Sequence, residues 1–355
     1  MITFLDLIPK SEFRDFVANR IASSIGETYN FPIVFPKLYR YRSLSKYSID
    51  DIINCQLTLS SIGEFNDIFD GAIHQYGSKE EIEKKAEAHW NEYDELLKGF
   101  PSARSILKRD TIIENSKRHF KTESRLKFRE LDYLGTYVCC FSEENTSTLM
   151  WSHYADSNKG ICIEYDFNTL NDDNLIRNSV FPIAYTESPI KVTDLLEDEK
   201  NKIFQYPIDA AVLCSALNKA KVWCYEKEWR MVSVLTSLEE EIQRIPIQLP
   251  IKPSKVYLGY HFLKPFFYYK SENQLDKDKR KSKIQEFMKL IDYLKNNQIP
   301  VAVMVPFIGS YNLKPCDITI DALESFMKQH FENRQLTSIH FYYTLHDRLL
   351  DLLEK

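Results

Sequence analysis

Two glutamates open a strand that is otherwise almost wholly apolar. The stretch "VWCYEKEWRMVSVL", residues 222–235, sets Glu226 and Glu228 beside Trp223 and Trp229, at the mouth of what reads as a buried strand. Carboxylates there cost desolvation energy unless a cation, hydrogen-bond donors or a substrate compensates them. The nearest compensation is Arg230, on the same strand face as Glu228 and one pleat away. A structural Arg–Glu pair is therefore one reading of the stretch, and a binding site is the other.

Composition narrows the classes. The chain has 355 residues, 44% of them hydrophobic and 27% charged, which suits an ordinary globular fold with ample core. A net charge of −5 argues against a protein that coats nucleic acid, while leaving local basic patches open. No apolar run approaches the roughly 18–20 residues of a membrane span. The opening "MITFLDLIPKSEFRDFVANRIASSIG" carries scattered acids and no basic-then-apolar signal pattern, so it reads as an amphipathic helix. Seven cysteines without repeated spacing fit reduced thiols in a cytoplasmic setting.

Along the chain, "FPIVFPKLYRYRSL" predicts an extended segment ending in Tyr39-Arg40-Tyr41-Arg42. Ser48 reads as an N-cap with Asp51 following, before a short helix and a strand over Gln56–Ser60. "FNDIFDG" reads as a polar-aromatic loop. Ser78 with Glu81 forms a capping box for an acidic helix, and a basic helix is expected from about Ala103 to Glu130. Strands follow at 134–142 and over "KGICIEYDF", separated by a short helix in "TSTLMWSHYAD". "VFPIAYT" reads as one strand, "YPIDAAVLCSALNKA" as a helix, "SKVYLGYHF" and "PVAVMVPF" as strands, and Gln274–Asn297 as a charged helix. Strands and helices mix without regular alternation, which indicates an α+β fold. The expected organisation is an N-terminal helix over 1–30, an α+β core over 31–77 and 131–310, a helical insertion over 78–130, and a C-terminal helical segment over 311–355.

Several chemistries are poorly supported. No G-x-G occurs, which removes the Rossmann fingerprint and the P-loop. Neither C-x-x-C nor H-E-x-x-H is present, and Cys139 and Cys140 point to opposite strand faces, so no metal site is expected. Ser142, His153 and Asp156 form a nominal triad without the G-x-S-x-G elbow that would expose the serine. The basic helix, with Arg104, Lys108, Arg109, Lys117, Arg118, Lys121, Arg125, Lys127 and Arg129, is either a solvated face balancing its acidic neighbour or an electrostatic landing strip for nucleic acid.

Three segments carry more. "LYRYRSLSKYSIDDIINCQLTLS" is a strand ending in two cations, then a helix and a strand; Arg40 and Arg42 share a face and would reach an anion together, unless they pair with acids of "FNDIFD". "GTYVCCFSEENTSTLMWSHYADSNKGICIEYDF" supplies Tyr137, Phe141, Ser142, Trp151, His153 and Tyr154, several of which must be core. The third segment is the Glu226-Lys227-Glu228 strand start.

In this order the three segments resemble the ADP-ribosyltransferase superfamily. The chain also looks like a widespread uncharacterised bacterial family marked by Y-R-Y-R, F-N-D-x-F-D, C-F-S, M-W-S-H-Y-A and E-W-R, over roughly residues 35–235. The superfamily resemblance implies a split mixed or antiparallel sheet with NAD as substrate and no metal. It implies Glu228 as the catalytic carboxylate that stabilises an oxocarbenium-like transition state, and Glu226 as the group that orients or deprotonates the acceptor. Arg42, with Arg40 as second choice, would hold the pyrophosphate or adjoining ribose. Tyr154 would stack on nicotinamide and Ser142 would support the pocket, with Tyr137, Trp151 and His153 completing the candidate cofactor-binding set. The chain has Arg where many members have His, and lacks the Ser-Thr-Ser form of the second motif, which leaves the acceptor type open. The resulting expectation is a cytoplasmic NAD-consuming enzyme that transfers ADP-ribose to a protein or nucleic acid or hydrolyses NAD, in the manner of a toxin or phage-defence effector. A non-catalytic nucleotide- or protein-binding module and a nucleic-acid-directed enzyme are the alternatives, with no membrane partner, and oligomerisation left open.

Overall fold

The computed structural model describes residues 34–67, 69–71, 73–74, 79–99, 108–133, 136–188, 190–191, 216–234, 244–266, 274–307, 309–332, 347–349 and 351. The expected N-terminal helix and the Ser78 capping box lie outside the described residues. The fold is mixed α/β, built on a mostly antiparallel sheet that has ten strands among the described residues.

The first elements follow the sequence pattern closely. Strand β1 (Leu38–Arg42) leads into helix α1 (Lys46–Ile53), and the chain returns as β2 (Gln56–Ser61). The N-cap of α1 is Ser45, whose Oγ accepts from the Ser48 amide at 3.4 Å, rather than the expected Ser48. Ser48 sits inside the first turn and is buried. After the short strand β3 (Ile73–His74) come the helices α2 (Lys79–Leu97) and α3 (Arg109–Tyr133), which pack on each other. Lys117 of α3 pairs with Glu83 and Glu114, and Arg109 with Glu87, so at these positions the basic face answers the acidic helix.

Strand β4 (Thr136–Ser142), helix α4 (Thr148–Tyr154) and strand β5 (Ile161–Tyr165) form the next unit. "VFPIAYT" is not one strand. The pairing breaks at Ile183, between β6 (Val180–Pro182), in the main sheet, and β7 (Ala184–Thr186), outside it. Strand β8 (Ile190–Lys191) pairs in parallel with β3. The end of the expected helix over "YPIDAAVLCSALNKA" is instead strand β9 (Asn218–Ala220), which pairs in parallel with β7. A 3-10 turn over Lys221–Glu226 then delivers β10 (Glu228–Val234). The remaining strands are β11 (Arg244–Gln248), β12 (Lys255–Leu258), β13 (Val301–Pro306) and β14 (Leu313–Ile318); the short helix α5 (Leu175–Asn178) precedes β6, α6 (Gln274–Asn296) lies between β12 and β13, and α7 (Ile320–Met327) follows β14. The expected helical segment from 311 therefore begins with a main-sheet strand, because β14 pairs antiparallel with β13 over six residues.

The sheet runs β11-β2-β4-β1-β5-β12-β13-β14, with β10 on the other edge of β4 and β6 beyond it. Among the described residues, the β12–β13 pair is its parallel one. A core on one face joins Leu57, Leu59, Cys139, Phe141 and Trp229 to Ile49 and Ile52 of α1. Ile284, Phe287, Ile291 and Leu294 of α6, one stripe at helical spacing, fill the same core. On the opposite face Tyr41, Met150, Trp151 and Tyr257 pack together under α4.

What places the site is a fork. Along one edge β4 pairs with β10 from Thr136 to Ser142. Along its other edge β2 meets it at Tyr137 and Val138, whereas β1 meets it at Ser142. Cys139, Cys140 and Phe141 have no strand partner on that edge among the described residues, so β1 and β2 splay apart there. Arg40 spans the opening, its Nη2 donating to the Thr58 carbonyl at 2.8 Å.

Candidate functional site

A hollow of about 200 Å³ opens at this fork. Its floor is the unpaired edge of β4. Its walls include Tyr39, Tyr41 and Arg42 of β1, Thr58 and Ser60 of β2, and Phe65, Asn66 and Asp70 of the loop after β2. Tyr154, Lys219, Glu226 and Glu228 close the remaining side. The three sequence segments thus converge on one cavity.

The two carboxylates reach it by a kink. Glu226 ends the 3-10 turn, Lys227 adopts a left-handed φ of 45°, and Glu228 begins β10. Neighbouring groups fix this turn. Ser142 Oγ donates to the Glu226 carbonyl at 2.7 Å, and the Glu143 amide donates to the Lys227 carbonyl at 3.1 Å. The Glu228 amide donates to the Tyr185 hydroxyl at 2.8 Å. In an unbroken strand, residues two apart would share a face simply by the pleat. Here the kink decides where each carboxylate points.

Glu228 is a fixed anion. Its Oε1 accepts from Arg230 Nε at 2.7 Å; its Oε2 accepts from Arg230 Nη2 at 3.1 Å and Lys219 Nζ at 3.0 Å. Burial by itself raises such a carboxyl, yet the Arg230 and Lys219 cations outweigh it and hold Glu228 at about 2. Arg230, wholly buried, also grips Asp70 through Nη1 at 2.6 Å and Nη2 at 2.7 Å, and its Cζ lies 5.4 Å from the centre of the Phe65 ring. The acids of "FNDIFD" thus serve Arg230, through Asp70, rather than Arg40 or Arg42.

Glu226 differs. Its Oε2 takes Lys219 Nζ at 2.5 Å, and its Oε1 takes the Tyr154 hydroxyl at 2.5 Å. Burial raises its pKa; Lys219 opposes the rise, and the nearby Glu228 charge adds to it. Burial and the same hydrogen bond also raise the Tyr154 phenol. Glu226 is thus the carboxyl of the pair that holds a proton more readily, and it touches a half-buried tyrosine that lines the hollow.

Arg42 faces the same space with no hydrogen bond or ion pair from its guanidinium among the described residues. Burial and the Arg40 charge lower its pKa, so an anion would relieve it. Gly160 holds the end of β1: a Cβ there would lie 2.2 Å from the Arg42 carbonyl.

Other expected site residues are placed differently. Arg40 lines the opening, but it is buried and donates to Thr58. Tyr137 lies in the main core on the far face of β4, because its side chain alternates away from Ser142. Trp151 is wholly buried, donates its Nε1 to Asn145 O at 2.7 Å and meets Tyr41 edge-on, which makes it a packing residue. His153 is exposed on α4 and is not among the residues lining the hollow. No group of three or more His, Cys, Asp or Glu side chains arranged to hold a metal occurs among the described residues. Lys219 and Tyr185 were not signalled by the sequence: Lys219 lay inside an expected helix, and Tyr185 inside an expected continuous strand.

A family described as Protein of unknown function (DUF2971) matches residues 150–231. The match takes in M-W-S-H-Y-A and E-W-R, and with them Tyr154, Lys219, Glu226, Glu228 and Arg230. Arg42, Asp70 and Ser142 lie outside it. No curated protein and no solved structure matches the chain.

Proposed function

We propose that the chain binds NAD at the fork and cleaves its nicotinamide–ribose bond, passing ADP-ribose to water or to a macromolecular acceptor. The observation that carries this reading is the convergence of Arg42, Tyr154, Glu226 and Glu228 on one hollow. A forked sheet is also what the ADP-ribosyltransferase resemblance implies. The hollow is smaller than the roughly 300–1,000 Å³ of ordinary ligand clefts, so it seats one end of the dinucleotide and the rest extends beyond it.

In this reading the C–N bond breaks with its electron pair leaving on nicotinamide, which departs neutral. Glu228, ionised at every ordinary pH, faces the positive charge that develops on the ribose. The acceptor oxygen or nitrogen then bonds to ribose C1′, and its proton passes toward Glu226, directly or through the Tyr154 hydroxyl. Arg42 neutralises a phosphate or hydrogen-bonds ribose.

One observation favours a second reading, a binding module that holds a nucleotide without consuming it. Both Glu228 oxygens are already engaged by Arg230 and Lys219, as in a structural ion pair. Mass spectrometry of NAD incubated with the protein, with and without cell extract, separates the two. Glu228→Gln is expected to lower NAD consumption by about 10²–10³-fold, with circular dichroism confirming the fold. Consumption unchanged in the folded variant would overturn the enzymatic reading, and NAD retained but never consumed would favour the binding module.

A further inference from the structure

We propose that Lys219 is a positioning residue of this site: its ammonium clamps Glu226 to Glu228 and aims Glu226 at the Tyr154 hydroxyl as the carboxylate that exchanges protons with the ligand. The identity of that ligand rests on the NAD reading above; the clamp itself does not.

The donor inventory makes Lys219 indispensable to Glu226. A guanidinium has five N–H bonds. Arg230 spends one on each Glu228 oxygen, one on each Asp70 oxygen and one on the Ala216 carbonyl. Nothing of Arg230 is left for Glu226. Lys219 Nζ, 2.5 Å from Glu226 Oε2 and 3.0 Å from Glu228 Oε2, is therefore the cation that stands between two buried like charges. It also lies 3.8 Å from Asp70 and 5.2 Å from the centre of the Trp223 ring.

The groups around Glu226 come from several elements. Tyr154 belongs to α4, Tyr185 to β7, Lys219 to β9, Glu228 to β10 and Tyr225 to its own turn. Among the described residues Lys219 is the cation in direct contact, and it arrives on a two-stranded ribbon outside the main sheet. Burial lowers the pKa of Lys219, but the Glu228 and Glu226 charges outweigh it and raise the value, so the ammonium stays protonated and is no nucleophile. Its effect is exerted through the carboxylates. Three hydrogen bonds quench Glu228, whereas Glu226 Oε1 meets a hydroxyl that lines the cavity.

The test is carboxyl-carbon NMR titration of Glu226, assigned with Glu226→Gln, on the full chain without ligand. Lys219→Met is expected to tighten proton binding at Glu226 about tenfold, a midpoint shift of about one pH unit. Lys219→Arg is expected to bring the midpoint back to within about 0.3 unit of the wild-type value. A folded Lys219→Met protein with an unmoved midpoint overturns the proposal. If Lys219→Met does not fold, the Lys219→Met/Glu226→Gln double variant decides. Recovery of the fold upholds the clamp on Glu226, and failure to recover it assigns Lys219 to Glu228 alone and overturns the proposal. NAD consumption is measured separately on the same samples. A moved midpoint without NAD turnover supports Lys219 and removes the NAD reading.

Discussion

Arg230 answers the question that its own strand raises. All five of its donors are used, and its side chain is wholly buried between Glu228 and Asp70. Replacing it by Met would leave two buried carboxylates with only Lys219 nearby, and removing one partner of such a pair costs about 3–5 kcal/mol. Urea denaturation at neutral pH is expected to show that loss. The pH dependence follows from the same pair. Glu228 sits at about 2 in the folded protein, against roughly 4.3 for an ordinary glutamate. Its stabilising contribution is full above about pH 4.3 and is lost as pH falls toward 2. Arg230→Met is expected to shrink this acid-side loss, because the cation that depresses Glu228 is gone. Glu226 has the opposite sign: its raised pKa makes it increasingly unfavourable as pH climbs past the ordinary glutamate value. The Arg230–Glu228 pair was legible in the sequence, since both lie on one strand two residues apart. Lys219 and Asp70 were not, because a charge in a loop or a short strand carries no periodic signature of its partner.

At the level of elements, the turn after α4 holds β1 in place. Asp156, Ser157 and Asn158 all take positive φ, at 47°, 55° and 64°, an uncommon run for residues other than glycine. The chain then passes under the end of β1 at Gly160 and beside β12 at Gly259. A Cβ on Gly160 would meet the Arg42 carbonyl at 2.2 Å and Ala155 backbone atoms at 2.9 Å, none of which can rotate away. Gly160→Ala is thus expected to push the end of β1 outward and to cost at least the roughly 1–3 kcal/mol of an overpacked site. Thermal melting would record the loss, and ligand binding through Arg42 should weaken with it. "MWSHYADSNKG" read correctly as a short helix followed by a polar turn. What its spacing did not disclose is that the turn winds left-handed and touches the end of β1. The split of "VFPIAYT" into β6 and β7 is similar: the run has no break in its strand-like composition, and only pairing partners decide where one strand stops.

At the scale of the whole molecule, the C-terminal third is part of the sheet. β14 pairs with β13 at six positions. Leu323, Phe326, Met327, Phe331 and Leu349 complete the main core. Burying each such side chain contributes about 1.5–3 kcal/mol, in sum comparable to the whole roughly 5–15 kcal/mol net stability of a typical domain. Truncation after residue 310 is expected to give an insoluble or unfolded chain, checked by solubility on expression and by circular dichroism. A soluble, cooperatively melting 1–310 fragment would restore the boundary expected after residue 310. That boundary was misleading because "LKPCDI" holds a proline and two charges, and reads as a loop until it is seen as an edge strand.

The sequence alone determined the intermingled strand and helix pattern, the two ends of most core elements, and the suspicion that the glutamates at 226 and 228 are compensated. Those features are local: hydrophobic periodicity, caps and residues two apart on a strand leave their mark within a few positions. The tertiary structure decided the fork at β4, the five-donor saturation of Arg230, and the different duties of the two glutamates. Each depends on groups that are distant in the chain, such as Asp70 and Lys219, and the proton affinity of a buried carboxyl is set by which of them its backbone kink brings within hydrogen-bond reach.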